Sequence, residues 1–433
     1  MRAQTAALAS DSAPRARPIR NLRWYICGLL FFATTVNYID RQVLGILKPV
    51  LERELGWREA DFGWVVFAFQ LAYAAMMPIA GRVIDWLGTR IGYALAVVVW
   101  SLASMSHALA RSAWQFSLAR FALGIGEAAN FPAAVKTVAD WFPSRERALA
   151  TGIFNSGSNI GAIVAPLLVP FVAAYFGWRA TFLVTGSLDL IWLAAWLWLF
   201  RQPSEHQRLS LSERQLIESG AAAEPARRIP YLRLLAERPA WAFLTGKFLT
   251  DPVWWFYLFW LPGFLNRKYA LDLTQLGPPL IAVYVAADVG SIGGGWLSSK
   301  LLSLGWAVNR ARKTTMLVCA LAVLPVTAVM FTGKSLWLTV ALIGLAAAAH
   351  QGWSANLYTL VSDSFPRSAV GSVIGLGGSG GAIGGLLVAP AIGYWLDFSH
   401  QSYGPLFLIA GSMYLIALAI IHLLVPKLSQ IEI

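Results

Sequence analysis

The sequence has little charge for its length. Asp, Glu, Lys and Arg make up 13% of its 433 residues, whereas a soluble domain carries about 25%. Hydrophobic residues reach 57%, and there are 20 Trp and 37 Gly, two residue types that are frequent in membrane helices and at their interfaces. Apolar stretches of about 20 residues, the length that crosses a bilayer, recur from residue 24 to residue 426. We therefore predict an integral membrane protein that contacts the lipid bilayer.

Features of enzymes and metalloproteins are also missing. The two cysteines, Cys27 and Cys319, lie far apart in apolar stretches, which favours free buried thiols over a metal site or disulfide. The sequence contains no Walker loop, HExxH or paired CxxC motif, so direct ATP coupling and metalloprotease chemistry are not expected. We predict that the protein is not an enzyme and needs no metal or other cofactor.

The excess of basic residues is explained by membrane topology. Lys and Arg number 34 against 22 Asp and Glu, a net charge of +12, and they concentrate in loops that fall on one side of the predicted helices. These are Arg82, Arg90, Arg145, Arg147, the linker 201–239, Arg310, Arg312, Lys313 and Arg367. Because cytoplasmic loops are rich in Lys and Arg, we expect both termini in the cytoplasm. Nucleic acid need not be invoked as a partner.

Hydropathy predicts an all-α fold with twelve membrane-spanning helices. The predicted spans are 24–46, 62–82, 91–110, 114–137, 148–175, 180–200, 240–266, 278–302, 314–332, 335–361, 369–396 and 404–426. This divides the chain into an N-terminal segment (1–23), a first six-helix bundle (24–200), a polar linker (201–239), a second bundle (240–426) and a tail (427–433).

The two bundles contain an internal repeat. Asp140-Trp-Phe-Pro recurs as Asp363-Ser-Phe-Pro, Gly157-Ser as Gly378-Ser, and Phe182-Leu-Val as Phe407-Leu-Ile, with offsets of 223, 221 and 225 residues. Six spans in each repeat return the chain to the same side, so the repeats are parallel. Transporters built from repeats bind substrate at the membrane midplane between the halves and rock one half against the other. The repeat therefore predicts a carrier.

Four charged residues matter most among those within predicted spans of the first half: Asp40, Arg41, Arg120 and Glu127. A charge at the bilayer centre costs about 2.5–3.5 kcal/mol on insertion scales and usually marks a functional site. Two forked guanidiniums suit the capture of a carboxylate or phosphate, and a carboxyl can exchange a proton where arginine cannot. The alternative is that these charges form ion pairs that only hold helices together.

The second half offers polar and aromatic groups instead of arginines. Lys247 and Asp251 have the spacing of an ion pair within one helix. Trp254 and Trp255 could present a flat face to a sugar ring, or they could pack as ordinary core or lipid-facing side chains. His350 could gain and lose a proton, or it could stay a neutral, hydrogen-bonded imidazole.

Several motifs resemble those of known transporters. Residues 81–90, with Gly81, Asp85, Gly88 and Arg90, resemble the first cytoplasmic loop motif of the major facilitator superfamily, although Trp86 replaces the usual arginine. The resemblance implies a gating role for these four residues, with Asp85 and Arg90 left to provide the charge contact.

Within that superfamily, residues 37–41 and 120–127 resemble the anion:cation symporters. Residues 87–94, 140–147, 251–256 and 349–351 are similar to hexuronate transporters. The resemblance implies that Asp40 and Glu127 couple protons. It also implies substrate contacts near the two arginines, and together with the polar residues of the spans it gives these candidates for substrate binding: Tyr38, Arg41, Tyr73, Arg120, Asn159, Trp254, Trp255, His350, Gln351 and Asn356.

We therefore expect proton-coupled uptake of a sugar-acid anion, such as galacturonate or glucuronate, by a monomer in the bacterial inner membrane. Carriers of another organic anion (an aldonate, glucarate, an aromatic acid or an organophosphate) remain an alternative. A transporter-like sensor that binds its ligand without turnover is a further one.

Overall fold

The computed structural model describes residues 18–57, 59–218, 229–271, 277–399 and 402–431. These residues contain thirteen α-helices and two short 3₁₀ segments, His107–Leu109 and Leu324–Phe331. The helices are α1 (Leu22–Leu55), α2 (Glu59–Ser106), α3 (Ala113–Glu127), α4 (Asn130–Trp141), α5 (Ser144–Leu199), α6 (Leu211–Glu218), α7 (Tyr231–Ala236), α8 (Arg238–Tyr269), α9 (Gly277–Ser303), α10 (Val308–Val323), α11 (Leu336–Ser364), α12 (Val370–Phe398) and α13 (Gly404–Leu424). Residues 1–17, 219–228 and 432–433 of the predicted terminal segments and linker lie outside the described ranges.

The helices form twelve membrane-spanning segments, as the hydropathy predicts. α2 and α5 each contain two segments joined at a glycine with positive φ, Gly88 (φ 76°) and Gly177 (φ 83°), a conformation that glycine adopts without steric cost. α3 and α4 together form one segment, interrupted at residues 128–129, and α10 continues into a 3₁₀ segment. The short helices α6 and α7 lie in the linker between the two sets of six.

Seven helical stretches in the described part of the chain are long and apolar enough to cross a membrane. Helices α1 and α8, with 34 and 32 residues, have sufficient length but are not among the seven. Both carry charged residues in their middle, Asp40 and Arg41 in α1 and Lys247 and Asp251 in α8. These charges lower the mean hydropathy of both helices.

Two helix pairs, α2 with α12 and α5 with α9, join the first half to the second. Both contacts depend on close backbone approach at glycine. A Cβ atom at Gly81 would collide with the carbonyl oxygen of Gly371, and one at Gly152 with that of Ser291. Small residues allow membrane helices to pack this closely, and these contacts bring the two halves together around a central space.

Candidate functional site

A cavity of about 70 Å³ lies between the two halves. Its lining comes from both halves, and it includes seven of the ten residues predicted to bind substrate. The lining residues are Tyr38, Arg41, Tyr73, Met77, Phe131, Asn155, Ser158, Lys247, Asp251, Trp254, Trp255, His350, Gln351, Ser354, Tyr358, Gly378 and Ala382. A concave site with a few converging polar groups is typical of small-molecule binding.

A larger space of about 550 Å³ adjoins the central cavity. The two spaces share the lining residues Tyr38, Arg41, Trp254 and Trp255, and we call them together the funnel. The wider part is lined by α1 beyond Arg41, by the first half of α2, by Arg120 and by the second half of α8. We call the side on which residues 201–237 join the halves the linker side, and the opposite side the distal side. The funnel widens toward the distal side.

Ion pairs and hydrogen bonds close the linker side. The Arg147 guanidinium (α5) donates to the Ser362 carbonyl at 2.6 Å and to the Asp363 carboxylate at 3.2 Å. Arg312 Nε donates to the other oxygen of Asp363 at 2.9 Å, and Lys136 Nζ donates to the Arg367 carbonyl at 2.7 Å. All of these groups are largely buried. The described conformation is therefore sealed on the linker side.

The four residues of the predicted gating motif divide into two groups. Asp85 lies in this closed contact, where it pairs with Lys136 at 3.0 Å and accepts from the backbone N–H groups at the start of α12. Gly81 packs against the same helix, and Gly88 supplies the kink in α2. Arg90, by contrast, donates to the Leu197 carbonyl at 3.1 Å within the first half. Lys136, rather than Arg90, is the cation beside Asp85.

Arg41 lies where the two parts of the funnel meet. Its Nε donates to Oε2 of Glu127 at 2.6 Å, and its guanidinium carbon lies 4.8 and 4.6 Å from the ring centroids of Tyr38 and Tyr73. Such aromatic faces hold a cation in place. Its Nη2 has no hydrogen-bond partner in the described part of the chain, which leaves a donor for an anion that enters the funnel.

Arg120 approaches the same space from α3. It lines the distal part of the funnel, is 3% exposed, and its Nη2 lies 3.5 Å from the Arg41 carbonyl. The sequence places Arg120 and Glu127 on one face of a helix, yet the partner of Glu127 is Arg41. Seven residues separate Arg120 and Glu127 by about 10 Å along α3, and Arg41 reaches Glu127 from α1. Protonation of Glu127 would therefore release Arg41.

The two acids predicted to couple protons lie behind the arginines. Glu127 is fully buried and Asp40 is 2% exposed, and neither lines the funnel. Asp40 Oδ1 accepts a hydrogen bond from Ser104 Oγ at 2.8 Å. An anion in the funnel would thus meet guanidiniums first, with carboxyls as their partners.

The second half contributes a stacked aromatic wall. The rings of Trp254 and His350 are parallel within 5°, with centroids 5.1 Å apart, and His350 Nδ1 lies 2.6 Å from the Tyr414 hydroxyl. Gln351 Oε1 accepts from Asn155 Nδ2 at 2.7 Å, a hydrogen bond between the two halves. The indole face and these amides suit a polar ring.

Lys247 and Asp251 also face the cavity. Their ion pair has an N–O distance of 2.8 Å, as the helical spacing predicts, and Lys247 Nζ also donates to the Tyr358 hydroxyl at 3.1 Å.

Two residues predicted to bind substrate line neither part of the funnel. Asn159 Nδ2 donates to Asp288 Oδ1 at 2.9 Å, at the contact between α5 and α9. Asn356 Nδ2 donates to the carbonyls of Gly294 and Gly352 at 3.1 and 2.9 Å. Each amide is used to join helices instead of facing the space between the halves.

Other residues of the site were not recognised from the sequence. Tyr358 follows His350 by eight residues and Gln351 by seven, so it lies on the same face of α11, and that spacing is a usable signal. Gln70 precedes Tyr73 by three residues and lines the distal part of the funnel. Met77 and Phe131 carry no such signal, because apolar residues line every face of these spans.

Comparisons with known proteins agree with this architecture. The profile of the major facilitator superfamily matches residues 30–304 and 301–430. The chain is 32% identical to the hexuronate transporter of Escherichia coli K12, with 96% of this chain and 97% of that one covered. It is 34% identical to the galacturonate transporter of Dickeya chrysanthemi, with 69% of this chain and 88% of that one covered.

Solved structures show the same fold. The proton:xylose symporter XylE superposes with a TM-score of 0.74 at 14% identity and covers 94% of this chain and 96% of its own. The human organic anion transporter MFSD10 superposes with a TM-score of 0.68 at 17% identity, and the match covers 92% of this chain and 99% of that one. These relatives and structural neighbours are transporters and not enzymes. With twelve membrane-spanning segments in two halves around a central funnel, the chain belongs to the major facilitator superfamily.

Proposed function

We propose that this protein imports a sugar-acid monoanion, a hexuronate such as galacturonate or glucuronate, together with protons by alternating access. The observation that carries the proposal is the position of Arg41. It lies at the meeting point of both parts of the funnel with one donor nitrogen unpaired among the described residues, and Arg120 lines the adjoining space. The names of the relatives, a hexuronate and a galacturonate transporter, support the same substrate class.

The substrate class follows from the two walls of the funnel. Guanidinium groups bind carboxylates with charge-assisted hydrogen bonds, and the arginine side of the funnel would hold the carboxylate. The opposite wall presents the indole of Trp254 with Gln351 and Lys247, which suit the apolar face and the hydroxyl groups of a sugar ring. A ligand with one carboxylate and several hydroxyls matches both walls.

Protons supply the driving force in this proposal. Moving one negative charge inward against 100 mV costs about 2.3 kcal/mol, so an anion needs at least one accompanying proton. Glu127 holds Arg41 at 2.6 Å. A proton on Glu127 would remove that ionic attraction and free Arg41 for the substrate carboxylate, which links proton binding to anion binding.

Alternating access would use the contacts that seal the linker side. We place the linker side in the cytoplasm, because the basic loops lie there, and the funnel then opens to the outside. Release into the cell requires the bonds between the halves, from Arg147 to Ser362 and Asp363 and from Arg312 to the Ser144 carbonyl, to break while the distal side closes. The parallel repeat relates the two six-helix halves by an axis along the membrane normal, and one half rocks against the other around the site.

Counterflow in proteoliposomes tests the proposed substrate. Purified protein is reconstituted with unlabelled galacturonate inside, and entry of labelled galacturonate is measured with competitors outside. We expect glucuronate to compete, and galactonate, glucarate, an aromatic acid and a sugar phosphate to compete at least about tenfold more weakly. Strong competition by the aromatic acid or phosphate with no galacturonate counterflow would favour another organic anion. Binding of galacturonate without counterflow would favour a sensor.

A further inference from the structure

Asp189 is a buried acid that the proposed function does not use. It lies on the segment of α5 after Gly177, is fully buried, and its carboxyl lies within hydrogen-bonding reach of the Asp40 carboxyl on α1. Neither oxygen of Asp189 completes a hydrogen bond to another described residue, and Oδ2 of Asp40 also lacks one. Two carboxyls therefore face each other in a closed space with three acceptor atoms unsatisfied.

The surroundings of this pair contain few compensating groups. From α2, Ser104 donates to Asp40 Oδ1 at 2.8 Å, and Trp100 lies beside Asp189 without completing a hydrogen bond. His107 follows α2 and directs its Nδ1 at the carbonyls of Ala103 and Ser104. The remaining charged groups that act on the pair come from α3: Arg120 and Glu127.

Electrostatics restricts the charge that this pair can hold. Two carboxylates in contact away from water repel each other, so a pair of this kind keeps a proton. A shared proton turns the repulsion into a short O–H···O hydrogen bond, which satisfies two of the three unpaired oxygens. The core then contains two positive charges, on Arg41 and Arg120, and two negative charges, one on Glu127 and one on the pair. Its net charge is zero.

We infer that Asp40 and Asp189 form one proton-binding unit that keeps one proton in the empty protein and binds a second during transport. The inference rests on the proposed function. The second proton adds to the remaining carboxylate oxygen of the pair and leaves it neutral, so Arg120 loses its counter-charge and attracts the substrate anion. The proton enters from the distal side and leaves to the linker side with the anion. Together with the proton on Glu127, two protons accompany each monoanion, and one net positive charge moves inward.

A potential-driven uptake assay tests the shared unit. Proteoliposomes with equal pH on both sides receive a tenfold potassium gradient with valinomycin, and galacturonate accumulation is compared with and without that potential. A net charge of +1 predicts about tenfold stimulation in the wild type. Asp40→Asn and Asp189→Asn should each keep about tenfold stimulation, because one carboxyl remains to gain and lose a proton. The double variant should show less than about twofold stimulation.

The outcomes separate the inference from the proposed function. Tenfold stimulation in the double variant would overturn the inference, as would loss of stimulation in Asp40→Asn alone, because Asp40 would then act without Asp189. A wild type that shows no galacturonate counterflow at all would instead reject the proposed function.

Proton counting decides the matter if the double variant does not fold. Binding of galacturonate to the purified wild type is followed by calorimetry in buffers of different ionisation enthalpy. Uptake of about two protons per anion at neutral pH is expected, and uptake of one or none would overturn the inference.

Discussion

Arg41 and Glu127 form an ion pair of 2.6 Å between α1 and the end of α3, and Arg41 lies where the two parts of the funnel meet. The pair uses Nε of Arg41 and leaves Nη2 of the same guanidinium without a partner among the described residues. Buried ion pairs are weak contributors to stability, since desolvation offsets their attraction. A role in binding and release accounts for this pair better than a role in holding the helices together.

The first prediction concerns the forked geometry of Arg41. Arg41→Lys keeps the charge but loses the planar pair of donors, so it should hold Glu127 or the substrate and not both. Galacturonate affinity should fall about tenfold or more, the loss of one charge-assisted hydrogen bond. Isothermal titration calorimetry measures the galacturonate affinity. Arg179→Lys, at an exposed arginine on α5, is the matched control and should bind as the wild type does. Unchanged affinity in Arg41→Lys would remove Arg41 from the site.

The second prediction concerns the indole that stacks on His350. Trp254→Leu should weaken galacturonate binding by about threefold to tenfold, because a branched side chain cannot present a flat face to a sugar ring. It should also reduce the quenching of tryptophan fluorescence by substrate. Trp337→Leu removes an indole that is 60% exposed and should leave both readouts unaltered. Equal quenching in Trp254→Leu and the wild type would contradict the placement of the sugar.

Sequence patterns identified most of the fold and part of the site, and the difference has a physical cause. Helix periodicity and charge at membrane depth located Arg41, Arg120 and Glu127, since few apolar spans carry charges. The same patterns do not give the partner of Glu127, because Arg41 lies on another helix and only the packing of α1 against α3 brings it within 2.6 Å. Asp189 passed unnoticed as a single acid in an apolar segment, and only the packing of α5 against α1 brings it to Asp40.

The third prediction concerns the ion pair in α8. Lys247→Met leaves Asp251 largely buried without its cation and should lower the free energy of unfolding by roughly 3 kcal/mol. The double variant Lys247→Met with Asp251→Leu should recover most of that loss, because no unpaired charge remains. Thermal unfolding in detergent at fixed pH measures both. A double variant less stable than Lys247→Met would show that Asp251 contributes through other contacts.

The fourth prediction concerns the closed linker side. Asp363→Asn should weaken its bonds to Arg147 and Arg312 and open this side more often. Spin labels at the exposed positions 145 and 310, in a background where Cys27 and Cys319 are replaced by Ser, report the distance by pulsed electron resonance. We expect a second, longer distance to gain population. Glu205→Gln, an exposed acid of the linker, should leave the distribution unchanged. A distribution in Asp363→Asn identical to that of the control would exclude this contact as a gate.

The central claim is that a proton on Glu127 couples anion entry to the proton gradient. It is tested most directly by accumulation of labelled galacturonate in proteoliposomes under a tenfold inward proton gradient, with wild type and Glu127→Gln side by side. The neutral amide of the variant mimics the protonated acid, so counterflow should persist. Accumulation should fall about tenfold or more, the factor contributed by each coupled proton. Accumulation by Glu127→Gln equal to that of the wild type would contradict the account.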